Sequence, residues 1–174
     1  MKRFCVITNR DKEDSNRKAV YIQEYLEQKG GKCLILENRR VISEGVLHYT
    51  EADKIPEETE CVLVLGGDGT MIQAAIDLVH SKLPILGINM GTVGFLTEVE
   101  PQNLERALDL MLQDKYTIEN RIMLRESSVT PTGTSSGKAC YALNDVVLSK
   151  RGDCRLITIK VYINDELALS LIHI

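Results

Sequence analysis

The run Val62-Leu63-Val64-Leu65 leads without a spacer into Gly66-Gly67-Asp68-Gly69-Thr70. Four apolar residues bounded by glycine predict a buried strand that stops at a sharp turn. Met71, Ile72, Ala75, Ile76 and Val79 then recur at helical spacing, so the chain leaves the turn as a helix whose positive end lies behind the glycines. Strand, glycine turn and helix in this order predict a βα unit of a parallel sheet. The three glycines leave the backbone free to take positive φ and to let a ligand close, so that main-chain amides can face phosphate oxygens. A carboxylate is an odd neighbour for an anion; it makes sense if Asp68 handles a proton or a metal. A tight turn with Asp68 capping the helix is the plainer reading, but it leaves the glycines and the threonine unexplained.

The rest of the chain falls into two regions. Over residues 1–100, short apolar runs alternate with helical patterns, which predicts an α/β, Rossmann-like domain with a parallel sheet. Asp14 or Ser15 can cap a helix carrying Ala19, Ile22 and Leu26, and Gly30-Gly31 stops it before the strand Cys33-Leu34-Ile35-Leu36. Between Val41 and Thr59 the pattern dissolves, and a surface loop or flap is expected. A second region, 101–168, begins with Pro101 at the first turn of a helix with the stripe Leu104, Ala107, Leu108, Met111 and Leu112. It continues with β-rich segments at Tyr116–Arg125, Ala139–Ser149 and Arg155–Ile163, read as the beginning of an all-β sandwich.

Composition narrows the class. With 174 residues, 44% of them hydrophobic, the chain can bury about 70% of its unfolded surface. A formal charge of −4 and the lack of a basic run argue against a nucleic-acid or membrane-surface partner. No stretch approaches the ~20 apolar residues of a membrane span, and Met1–Thr8 reads as a strand, so a cytoplasmic protein is expected. Cys5, Cys33, Cys61, Cys140 and Cys154 are odd in number and widely spaced, which fits reduced thiols better than zinc or disulfides. No metal-ligand cluster is read from the sequence.

Gly66-Gly67-Asp68-Gly69-Thr70 resembles the diphosphate-binding motif shared by NAD kinases, diacylglycerol and sphingosine kinases and, more distantly, phosphofructokinases. Gly87-Ile88-Asn89-Met90-Gly91-Thr92-Val93-Gly94-Phe95-Leu96 is similar to the second glycine-rich segment of NAD kinases, and Asn144-Asp145-Val146-Val147-Leu148 to their Asn-plus-acid motif, usually written with Glu. The order and spacing of these blocks fit the NAD kinase family as far as about Leu167. Thr130–Ser135 imitates a later segment of that family in letters only, since it precedes the Asn-plus-acid motif, and is read as a hairpin loop.

The resemblance implies transfer of a phosphoryl group from ATP, with Mg²⁺, to the 2′-hydroxyl of the adenosine ribose of NAD, giving NADP. It assigns Asp68 as the base; Gly66, Gly67, Gly69 and Thr70 as phosphate contacts; and Asn89, Asn144, Asp145 and Arg155 to the dinucleotide pocket. Asp145 is one methylene shorter than the usual Glu, and Gln73 stands where many relatives have Arg. A homo-oligomer is implied for the full-length protein. Two alternatives stand beside this reading: an incomplete chain that at most binds dinucleotide, and a lipid kinase of the diacylglycerol type. Residues 169–174, Leu-Ser-Leu-Ile-His-Ile, depart from the family pattern and match the translation of a common sequencing adaptor, so a truncated frame with an artefactual tail is expected.

Overall fold

The computed structural model describes residues 1–9, 13–38, 41–43, 46–91, 94–129, 132–133, 140–147 and 157–173. They form two compact units, 1–144 and 145–174.

The first unit is built on a four-stranded parallel sheet. β1 (Arg3–Asn9) is followed by α1 (Glu13–Gln28) and β2 (Lys32–Asn38), then by a short antiparallel pair, β3 (Val41–Ser43) and β4 (Val46–His48). β5 (Cys61–Gly66), α2 (Asp68–Asp77) and β6 (Ile85–Asn89) complete the α/β part, with α3 (Leu104–Leu112) after them. The sheet order is β2-β1-β5-β6, with every neighbouring pair parallel. β1 and β5 alternate their side chains between two cores, as the two-residue period of a strand requires. On one face Phe4, Val6, Leu63 and Leu65 pack with Ile22 and Leu26 of α1 and Leu104, Leu108 and Met111 of α3. On the other, Cys5, Ile7, Val62 and Val64 pack with Met71, Ala74 and Leu78. The parallel sheet with helices is the Rossmann-like arrangement expected from the sequence.

Local signals explain the helix ends. Gly30 takes φ +82°, and the amides of Gly30 and Gly31 return to the carbonyls of Glu27 and Leu26 at 3.0 and 2.8 Å, closing α1 where a side chain would be strained. Pro101 opens a 3-10 turn, Pro101–Asn103, that leads into α3. This helix, grouped with the β region by composition, lies against the core shared by β1, β5 and α1. Tyr25 Oη and Lys29 Nζ of α1 both donate to Asp109 of α3, at 3.0 and 2.6 Å.

Two expectations need correction. The stretch 41–59 holds the β3–β4 pair and a 3-10 turn at Ala52–Lys54, with Thr50 and Thr59 buried. It is tied down because Asp77, at the end of α2, accepts from the amides of Tyr49 and Thr50 at 3.0 and 2.8 Å. Of Tyr116–Arg125, only the end is a strand: β7 (Leu124–Glu126) pairs with β8 (Cys140–Ala142). The later described strands make antiparallel pairs, the antiparallel part expected to follow the α/β region. In the second unit β9 (Ile157–Ile163) and β10 (Glu166–His173) form a hairpin whose turn residues, Asn164 and Asp165, both take positive φ, the backbone that suits the twist of paired strands. Residues 169–173 belong to β10.

Candidate functional site

In the sheet order the chain steps outward from β1 to β2 and then returns past β1 to β5. That reversal is a topological switch point, and the carboxyl ends of strands beside it are where open α/β sheets bind ligands. β5 ends there in Gly66. Its register partner on β6 is Asn89, so the segments Gly66–Thr70 and Gly87–Leu96, separate in sequence, leave the sheet side by side.

The glycines of these segments divide by what a methyl group would meet. At Gly66 a Cβ would lie 2.4 Å from Thr70 Oγ1 and 2.6 Å from Thr70 Cβ; at Gly87, 2.9 Å from Met71 Sδ and 3.0 Å from the Leu96 carbonyl oxygen. At Gly94 it would lie 2.1 Å from Asp68 Oδ1. These three are glycine because the protein fills the space. Gly67 and Gly69 are different, since a Cβ at either meets nothing within 4 Å. Neither takes positive φ; Gly67 is extended, with φ −109° and ψ −169°, so the conformational freedom expected of this loop is not what it uses. What remains is room for another molecule to reach the backbone.

The helix supplies that backbone with charge. The first intrahelical bonds of α2 run from the amides of Thr70 and Met71 to the carbonyl of Gly67, at 3.0 and 3.1 Å. The amides of Asp68 and Gly69 therefore have no intrahelical acceptor and stand at the positive end of the helix dipole, an arrangement that suits phosphate.

Asp68 neither caps the helix nor extends freely. The cap residue is Gly67, with no side-chain cap bond, while Asp68 Oδ2 accepts from the Phe95 amide at 2.8 Å and Oδ1 from the Leu96 amide at 2.9 Å. Bonds from the amides of Phe95, Leu96 and Thr97 hold its carboxyl below the ordinary aspartate value, against a smaller opposing effect of burial. Asn89 is buried, and its Oδ1 accepts from the Gly91 amide at 2.8 Å, shaping the start of the second segment. Gly91, at φ +131°, turns the chain there. Phe95 is 99% exposed beside these loops.

Of the remaining sequence candidates, Asn144 and Asp145 follow β8 and are both exposed; the first closes one compact unit and the second opens the other. Arg155 and most of Thr130–Ser135 lie outside the described residues. His80 packs edge-on against Tyr141 with ring centroids 5.3 Å apart. The partners of Asp68 were not foreseen, because Gly94, Phe95 and Leu96 lie more than a helix and a strand away in sequence; the only hint was a Gly-Phe-Leu step with no periodicity of its own. Among the described residues no group of three or more His, Cys, Asp or Glu could hold a metal ion. No helix among them is long and apolar enough to cross a membrane. A separate cleft, lined by Arg3, Phe4, Lys32, Pro56 and Thr59, lies at the amino ends of β1 and β2, away from the glycine segments.

The chain is similar to known proteins. Residues 4–116 match the family model described as ATP-NAD kinase N-terminal domain. A NAD kinase of Lachnoclostridium phytofermentans is 40% identical over 167 residues, which are 95% of this chain and 57% of the relative. One from Agathobacter rectalis is 38% identical over 167 residues, 95% of this chain and 56% of the relative. The crystal structure of yeast NADH kinase complexed with NADH superposes with a TM-score of 0.74 at 17% identity, covering 97% of this chain and 55% of that one. That likeness shows the fold. The chain spans about half the length of the curated relatives it matches.

Proposed function

Because the chain belongs to the ATP-NAD kinase family, we propose that it forms the phosphate-binding part of an enzyme that phosphorylates the 2′-hydroxyl of the adenosine ribose of NAD with ATP. The observation that carries the reading is the open space in front of Gly67 and Gly69 at the positive end of α2, beside a second glycine segment brought alongside by the Gly66–Asn89 register.

Phosphoryl transfer spreads charge over the transferred oxygens, so its catalysis is mostly positioning and electrostatic stabilisation. In this reading the amides of Asp68 and Gly69 and the Thr70 hydroxyl meet phosphate oxygens, and Gly66 admits the Thr70 side chain. Asn89 shapes the second segment through Gly91. Asn144 and Asp145 read the dinucleotide, an amide supplying both donor and acceptor beside a carboxylate. The resemblance gives proton acceptance to Asp68, whose two oxygens are engaged by Phe95 and Leu96. The described residues offer no resident metal cluster, so Mg²⁺ enters this proposal only as the companion of ATP and no step is assigned to it. A cytoplasmic location and a homo-oligomer of the full-length protein belong to the same proposal.

The test is formation of NADP from NAD, ATP and Mg²⁺, measured with an NADP-specific dehydrogenase. ATP-dependent NADP supports the reading. A second reading is binding of dinucleotide without turnover. Saturable NAD binding with no NADP formed would select it. The family match leaves the diacylglycerol-type alternative without support.

A further inference from the structure

We propose that the cleft at the amino ends of β1 and β2 is a second small-molecule site, separate from the glycine segments, and that its ligand is a free amino acid with a large apolar side chain. The proposal stands apart from the kinase reading, because it uses none of the residues assigned to phosphate or dinucleotide.

The cleft is framed by hydrogen-bonded backbone. Arg3 and Lys32 are register partners on neighbouring parallel strands, so their side chains leave the same face of the sheet, with Leu34 two residues further along that face. The turn Pro56–Thr59 is closed by a bond from the Thr59 amide to the Pro56 carbonyl at 3.0 Å, and the next amide, that of Glu60, ties it to the Arg3 carbonyl at 2.8 Å. The amides of Gly31 and Lys32 are fixed on the carbonyls of Leu26 and Lys2, at 2.8 and 2.7 Å. The space these segments frame is about 420 Å³, which falls among small-molecule pockets of ~300–1,000 Å³.

Its polar groups are ones the fold leaves over. Thr59 lines the cleft and is 7% exposed, yet its hydroxyl has no hydrogen-bond partner among the described residues. A buried hydroxyl is costly unless a partner supplies the bond. Lys32, Glu27 and Glu58 line the same space, and none of the three forms an ion pair with a described residue. The Arg3 guanidinium gives one bond to Glu60 at 3.2 Å and keeps further N–H donors. Charges of both signs, unpaired with one another and set beside the apolar surfaces of Leu34 and Pro56, match a zwitterion with an apolar body. The α-carboxylate goes to Lys32 and Arg3, the α-ammonium to Glu27 or Glu58, and the Thr59 hydroxyl bonds the same head group. The two carboxylates repel a phosphate or a nucleotide, which separates this cleft from the space at Gly67 and Gly69.

Amide-shift titrations of the 174-residue chain test the site with L-leucine, L-isoleucine, L-phenylalanine and L-tyrosine. At least one should move the amides of Lys32, Leu34, Glu58 and Thr59 saturably while those of Gly67 and Gly69 stay in place. For that amino acid the N-acetyl derivative, which lacks the positive charge, and the carboxamide, which lacks the negative one, should each bind at least about tenfold more weakly. Thr59→Val keeps the shape and removes the hydroxyl, and Lys32→Gln removes the charge from an exposed side chain. Each should weaken binding at least about fivefold, with the amides of β5 unmoved as the sign of an intact fold. If Thr59→Val fails to fold, Lys32→Gln and the two derivatives decide. No saturable shift at the four cleft amides with any of the amino acids would overturn the proposal. So would equal affinity for the zwitterion and its two derivatives, or inorganic phosphate moving the cleft amides at lower concentration than the amino acids do.

Discussion

Gly69→Ala should separate folding from ligand binding. Gly69 is the second residue of α2, lies outside the left-handed region, and leaves an added Cβ with no atom within 4 Å. Alanine is favoured over glycine inside a helix by about 0.5–1 kcal/mol, and less than that in the first turn. The variant should therefore melt at the parent temperature or up to about 2–4 °C above it. The same methyl fills the space proposed for phosphate, so affinity for ATP or NAD should fall at least about tenfold, or ~1.4 kcal/mol. Gly66→Ala is the mirror case. Its Cβ would stand 2.4, 2.6 and 3.0 Å from Oγ1, Cβ and Cγ2 of Thr70, and overpacking of this kind costs about 1–3 kcal/mol. At 2–4 °C per kcal/mol, the unfolding midpoint should drop by about 2–12 °C. Circular dichroism melts and calorimetric titration with NAD and ATP measure both quantities. A Gly69→Ala protein that loses stability as Gly66→Ala does, or binds as tightly as the parent, would refute the division of the glycines into those packed by the protein and those left open for a ligand.

Leu108→Ala should destabilise the first unit by about 2.7–5 kcal/mol in denaturant titrations, because Leu108 is fully buried between α3, β1 and α1; Leu110→Ala, on the exposed side, should stay within about 0.5 kcal/mol. Equal effects would place α3 outside the core. Burial pushes the thiols of Cys5, Cys33 and Cys61 up to about 12, so each keeps its proton in the fold where the unfolded chain gives it up near 9. The stability linked to these thiols is whole below pH 9 and is lost as pH rises toward 12, which midpoints measured across that range should show. At pH 8 an alkylating reagent should modify the exposed Cys140 and spare these three until the protein unfolds; early modification of Cys5 or Cys61 would contradict their burial.

The α/β frame was legible because its signals are local. Val62–Leu65 running into Gly66-Gly67, the 3.6-residue stripes of α1 and α3 and the Gly30-Gly31 stop each need only neighbours in sequence to be read. What stayed hidden depends on partners far along the chain. The sequence shows no partner for Asp68 until Phe95 and Leu96 are seen donating to its oxygens, and Asp77 has no visible task until Tyr49 and Thr50 are found donating to it. α2 thus carries an acid at each end that fastens a different loop, and neither link has a periodicity to betray it. The helix at Leu104–Leu112 was read correctly as a helix, yet its company changes along the chain: β-rich sequence follows it, while its apolar stripe belongs with Phe4, Ile22 and Leu26. Positive φ, expected at the Gly66–Gly69 loop, occurs instead at Gly91. A glycine does not say in sequence whether it is wanted for its backbone or for the space beside it.

Amide chemical-shift mapping of the 174-residue chain during titration with NAD, and separately with ATP, tests the central claim most directly. The account predicts that the largest shifts fall on Gly67, Asp68, Gly69 and Thr70 and on the neighbouring segment from Asn89 to Leu96, where the register of β5 with β6 brings the two together. Shifts confined to the cleft lined by Arg3, Lys32 and Thr59 at the other end of the sheet, with the Gly67–Thr70 amides unmoved at saturation, would contradict it.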